Sequence, residues 1–382
     1  MRSLTGQGLL VGSVCLASVL LVAAVIVLAR EHRPSFLRPG LRLYAYVSTA
    51  DNAVSVVDLV KLATVAHVPI GGNISAMREH PARAEVWGVS SGGGFAWILD
   101  SRTSQIVARV PVGALPYALD FSPDATRAYI PASGSNMLSV IDCASRQVVG
   151  HTTTGAQPVA ARVSPDGKLV LVLNKKDATV GVHDAATLQA RAVISVIPDP
   201  EDAAILPDNS VAFILSRTQK SLSVVDLRKG LLLTNLELEG TPSQMILKPD
   251  GGELYVLSPE SHGVQAINTW MHEVGDYVEL GSAPTRGVLL PDTGQMYVSD
   301  AEANTVTGVD MNYRRLIRPS IQAGEIPGAL RFDPGDKARL LLVVSQASGD
   351  LSVIRITSDR PGALLTMVPV GDEPRELAVK LF

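Results

Sequence analysis

Residues 158–199 read PVAARVSPDGKLVLVLNKKDATVGVHDAATLQARAVISVIPD, and the proline that opens this stretch returns at position 200. It belongs to a series, with Pro at 116, 158, 200, 242, 284, 327 and 374, in which four successive gaps of 42 are followed by gaps of 43 and 47. The Ser-Pro-Asp-Gly in its middle belongs to a second series, Pro81, Pro123, Pro165, Pro207, Pro249, Pro291 and Pro334, in which Asp follows the proline five times. Asp184 belongs to a third: Asp58, Asp100, Asp142, Asp184, Asp226, Asn268 and Asp310, with every gap 42. Three markers that share one period define a structural repeat.

Within each unit the apolar residues form short runs rather than helical stripes. Phe213-Ile214-Leu215 and Tyr255-Val256-Leu257 are β-prone runs, and Leu222-Ser223-Val224-Val225-Asp226 alternates with period two. Pro-Asp-Gly turns and Ser/Asn/Gly clusters separate these runs. A unit therefore reads as four strands: one after the inter-unit proline, one after Pro-Asp-Gly, one ending at the aspartate and one ending at the next Gly. Four-stranded repeats of this length are propeller blades.

The two ends of the chain set the blade count. Seven complete units lie between Gly71-Gly72-Asn73 and Gly371-Asp372-Glu373-Pro374. Segment 41–70 holds three strands, and Arg375 to Phe382 holds one. Three plus one completes an eighth blade and removes the open sheet edges. The expected fold is all-β: an eight-bladed β-propeller over 41–382 with 3+1 closure, preceded by one N-terminal transmembrane helix.

Tyr255-Val256-Leu257-Ser258 and Tyr297-Val298-Ser299-Asp300, with the Ser-Pro-Asp-Gly turns and the Val-x-Val-x-Asp strand ends, resemble the YVTN-type propeller repeats. The pattern is similar to surface-layer propellers and to the eight-bladed haem d1 domain of cytochrome cd1 nitrite reductase. It spans nearly all of 41–382, although no blade has the full Tyr-Val-Thr-Asn string. The resemblance implies a propeller and leaves the activity open, because this scaffold serves many functions.

Gly8 to Ala29 is one uncharged apolar run. As a helix it would span about 33 Å, enough for a hydrocarbon core of roughly 30 Å. Val27-Leu28-Ala29 is a weak cleavage site, so residues 1–30 read as an uncleaved anchor and 31–40 as a linker. Arg30, Arg33, Arg38 and Arg42 follow the run and by the positive-inside rule favour a cytoplasmic propeller. Long domains translocate despite such charges, and the expectation is an exported propeller on the periplasmic or extracellular side of a bacterial cytoplasmic membrane. A net charge of −4 gives no basic footprint for nucleic acid.

The recurring aspartates fall one per blade at strand ends, where Asx chemistry caps a turn, so they read as structural and not as metal ligands. Cys15 and Cys143 are the only cysteines, so the Cys-x-x-Cys-His of a c-type haem is absent and no cofactor is expected. Gly88-Val89-Ser90-Ser91-Gly92 has the Gly-x-Ser-x-Gly spacing, but a β-prone run and not a helix follows it, so it does not read as a nucleophile elbow. By the family resemblance, a ligand would sit on the face that holds the inter-blade turns and the second-to-third-strand loops. On that rim fall Tyr117, Glu201, Arg286, Arg375, Lys175, Arg217 and His262. Trp270, Tyr313 and Arg314 form a candidate partner patch on the opposite face, since Trp, Tyr and Arg anchor interfaces. The expected function is a non-catalytic protein-binding or scaffold subunit of a membrane-associated complex. The alternative is a propeller enzyme or cofactor carrier, haem d1-related or lactonase-like.

Overall fold

The computed structural model describes residues 41–290, 292–335, 339–357 and 362–382. The apolar run Gly8–Ala29 lies outside them. Among the described residues no helix is long and apolar enough to cross a membrane. Residues Arg42–Phe382 form one compact unit.

The described strands pair into eight antiparallel four-stranded sheets. Blade one has the order Ala63–Pro69, Ala53–Asp58, Leu43–Ser48, Leu377–Leu381, so its innermost strand comes from the C-terminus. Blades two to eight follow in chain order, each running from an inner strand to an outer one. The expected 3+1 closure is the observed one. Leu43 pairs with Leu381 and Val47 with Leu377, and Ala378 packs among Tyr46, Val54, Met77 and Trp97. The Ser55 hydroxyl donates to the Val370 carbonyl (2.5 Å), joining blade one to blade eight.

Burial follows strand position. The second strand of a blade is covered on both faces by the neighbouring blades, so Val211–Ser216 is buried at every residue and reads as a continuous apolar run. Outer strands face solvent and alternate: Gln105–Pro111 is buried only at Val110. Each fully buried Val, Leu, Ile or Phe contributes about 1.5–3 kcal/mol, so the interlocked blade faces dominate stability.

The turns close as their chemistry requires. The Asp58 carboxylate accepts from the amides of Val60 (2.9 Å) and Lys61 (3.0 Å). Asp184, Asp226 and Asn268 cap their turns in the same way. Gly167, at φ +71°, takes the left-handed position of its Pro-Asp-Gly turn. Among the described residues no three His, Cys, Asp or Glu side chains cluster as metal ligands. Cys143 is buried, and burial pushes its thiol up to about 12, far from a reactive thiolate.

Candidate functional site

Alternate residues of a strand point to opposite faces, so the second and fourth residues after each inter-blade proline lie on one side of an inner strand. In blades four, five, seven and eight these positions include Arg162, Asp202, Arg286 and Arg331. The matching positions in blades two, three and one are Arg78, Asp120 and Glu376. All but Asp120 line a cavity of ≈ 280 Å³, with Tyr117, Lys175, Glu201 and Arg217 around it. Asp120 joins the same wall by its bond to Arg78.

The charges on this wall divide into a paired arc and an unpaired arc. On one side Arg78 bonds Asp120 (2.9 Å), whose other oxygen accepts from the Val163 amide (3.0 Å). Arg162 bonds Asp202 (2.5 Å), and Lys175 bonds Glu201 (2.6 Å) with Arg217 3.5 Å away. On the other side Arg286 and Arg331 form no ion pair among the described residues. Arg286 donates to the Ser243 carbonyl (3.0 Å) and Arg331 to the Leu330 carbonyl (3.0 Å). The Glu376 carboxylate, on the same arc, accepts no hydrogen bond among the described residues.

Confinement within the ring sets the electrostatics. Burial lowers the Arg78 and Arg286 guanidinium pKa values. At Arg162 the same burial opposes the charge, but Asp202 and Asp120 outweigh it and the pKa rises. Burial raises the Glu376 pKa against the pull of Arg331, Arg286, Arg78 and Arg217. Counting Asp120, the mouth holds six cationic side chains and four carboxylates, and protonation of Glu376 makes it more positive still. Such a concave cationic site focuses its field on an anion. A carboxylate 4 Å from one guanidinium gains about 4 kcal/mol at an effective dielectric of 20, before desolvation.

The sequence-derived rim residues separate here. Tyr117, Lys175, Glu201, Arg217 and Arg286 come together at the mouth. Arg375 is outside the lining, bonded to Glu373 at 2.8 Å. His262 is also outside it, in a turn at φ +62° with its Nδ1 2.5 Å from the Ser282 carbonyl. On the opposite face Trp270 and Tyr313 are exposed, whereas Arg314 bonds Glu253 and lies over the Tyr255 ring. Sequence reasoning missed Arg78, Asp120, Arg162, Arg331 and Glu376. Aligning the repeats in columns and reading the second and fourth places after the proline would have found them.

Ring closure and a charged central mouth define the class of protein: an eight-bladed propeller similar to the haem d1 propellers. Residues 87–237 match the family described as Cytochrome D1 heme domain. The dihydro-haem d1 dehydrogenase NirN, solved in complex with DHE, is similar with a TM-score of 0.72 and 15% identity, covering 91% of this chain and 77% of that one. Hydrazine synthase of Kuenenia stuttgartiensis matches with a TM-score of 0.59 and 20% identity, over 77% of this chain and 99% of that one. A functionally unknown protein from Desulfotomaculum acetoxidans DSM 771 matches with a TM-score of 0.58 and 13% identity, over 71% of this chain and 93% of that one. No curated protein matches the sequence. At these identities the structural likeness is one of fold.

Proposed function

We propose that this chain is a non-catalytic binding subunit of a membrane-associated assembly, held at the outer face of a cytoplasmic membrane by its N-terminal apolar run. Its channel mouth captures a carboxylate-bearing ligand. The observation that carries this reading is the pair Arg286 and Arg331, which face the mouth without a carboxylate partner among the described residues. A guanidinium held in a concave wall with no carboxylate in bonding reach, and only Glu376 on the same arc to offset it, is a preformed half of a charge-assisted bond. Tyr117 adds a ring and a hydroxyl to the lining of the same cavity.

The likeness to the Cytochrome D1 heme domain favours a second reading, a carrier of a carboxylated tetrapyrrole. The donor set fits half of such a molecule. The arginines suit its acid side chains, but no lining residue is a histidine, so the mouth provides no imidazole for iron. In this reading Arg286, Arg331 and Arg78 hold the acid groups, and no step at the metal follows from this chain.

Calorimetric titration with benzene hexacarboxylate and with metal-free protoporphyrin separates the readings. Binding of either one that falls tenfold or more in an Arg286→Ala/Arg331→Ala variant supports anion capture. Equal affinity in the variant removes it. A preference for the porphyrin selects the carrier reading. Partner proteins are sought by co-purification from detergent, and the outward orientation by a periplasm-active reporter fused after Phe382.

A further inference from the structure

The turn between the third and fourth strands has the same construction in blades one to seven. Its capping Asp or Asn accepts backbone amides two and three residues on, or three residues on alone in blade three, so those two residues form the outward tip. In blades three and four the tips are Ala144-Ser145 and Ala186-Thr187, small and polar. In the three consecutive blades five, six and seven they are Arg228-Lys229, Trp270-Met271 and Asn312-Tyr313. Trp270 is 65%, Met271 68% and Tyr313 73% exposed. Just after the first of these tips come Leu231, Leu232 and Leu233, each more than a third exposed.

We infer that this arc is a membrane-docking surface, its Trp, Met, Tyr and Leu side chains seated in the interfacial zone of a lipid bilayer and its Arg and Lys at the headgroups. Trp and Tyr suit that zone because one part of each ring system is apolar and another hydrogen-bonds. Lys and Arg lay their stems along apolar surface and keep their charge at the phosphates. Most acidic groups nearby are engaged, Asp208 with Arg228, Asp226 with Lys229, and Glu253 and Asp276 with Arg314, while Glu273 is exposed with no ion pair among the described residues.

Where the described chain begins favours this face. Leu43 opens its strand on the side of these turns, where its carbonyl accepts from the amide of Leu59, the first residue of blade one's own tip turn. Residues 30–40 span at most about 40 Å when fully extended. This inference rests on the proposed membrane tether, and the compact unit begins, at Arg42, on the face that carries the arc. The channel mouth then opens away from the bilayer, toward soluble ligands.

The three tryptophans make the test direct, since Trp87 and Trp97 are fully buried and only Trp270 is accessible. The full chain is reconstituted in phosphatidylcholine–phosphatidylglycerol nanodiscs with brominated acyl chains. Docking predicts that Trp270 emission is quenched by the bromolipid and protected from aqueous iodide, with the bromolipid effect lost in Trp270→Phe. Iodide quenching with no bromolipid effect overturns the inference and returns the arc to a protein partner. Flotation after alkaline carbonate reports the tether separately. A chain that floats with Trp270 unquenched fails the docking alone, and one that does not float but is quenched before extraction fails the tether alone.

Discussion

The guanidinium of Arg162 stands 2.5 Å from the carboxylate of Asp202, bonding the inner strands of blades four and five across the channel wall. Both side chains are more than two-thirds buried. Removing one partner leaves the other in a confined site with little water to replace it. Asp202→Asn is expected to lower stability by about 1–3 kcal/mol, read as a shift in the urea midpoint. It also frees a guanidinium, so anion affinity at the mouth should rise in the same variant. A fall in affinity would mean that the pair positions the site and does not compete for it.

Glu376 competes with any incoming anion for Arg286 and Arg331. Burial raises its pKa, so it takes up a proton at a pH where an ordinary glutamate is ionised. Affinity for benzene disulfonate, which stays ionised throughout, should increase as pH falls from 7 toward 5. Glu376→Gln should bind tightly at both pH values and lose this dependence. By linkage, a raised folded pKa favours the fold below the unfolded value, and that contribution is lost as pH rises through the folded value. The Gln variant is therefore no less stable than wild type at pH 8, as thermal unfolding will show.

His80 gives a pH effect of opposite sign. It is fully buried against Trp87 and Phe121, and its Nδ1 accepts from the amides of Ala82 (3.1 Å) and Arg83 (3.0 Å), which requires the neutral ring. Burial lowers its pKa. Its contribution is present above the unfolded value of about 6.5 and is lost as pH falls through the folded value. Thermal stability should drop between pH 7 and 5. His80→Asn keeps an acceptor for the turn and should flatten that drop, at a cost of about 1–2 kcal/mol in packing. An unchanged pH profile in the variant would assign the drop to other groups.

Ring closure depends on the C-terminal strand. Deleting residues 377–382 exposes the inner edge of Leu43–Ser48 and removes Ala378 and the stacking of Phe382 on Tyr44. The expected result is loss of cooperative unfolding and self-association through the open edge, measured by calorimetry and sedimentation. A monomeric variant with a single sharp transition would show that the ring closes without its last strand.

The blades were legible because their determinants are local. Pro165-Asp166-Gly167 encodes its turn through a fixed proline φ, an accepting carboxylate and a glycine at positive φ, and such signals recur from unit to unit at one constant period. The site was legible only in part. Lys175 and Arg217 stand on turns, where charge is conspicuous, and Glu201 is the second residue of its strand, next to the inter-blade turn. Arg162 and Arg331 sit inside strands between apolar neighbours, where a lone arginine reads as an interruption of the pattern, and Arg78 stands beside Glu79 in a strand with no proline to mark its register.

Sequence alone thus determined the strand order within a blade, the number of blades and the identity of the closing strand, since each depends on contacts between residues close in the chain or on one constant period. Only the tertiary structure decided which charges meet. Arg78, Arg162, Arg286, Arg331 and Glu376 belong to five different blades, each separated from the next along the chain by more than one full repeat. They converge because strand pleat turns their side chains to one side and closure of the ring brings all five inner strands around one axis. No local feature encodes that meeting.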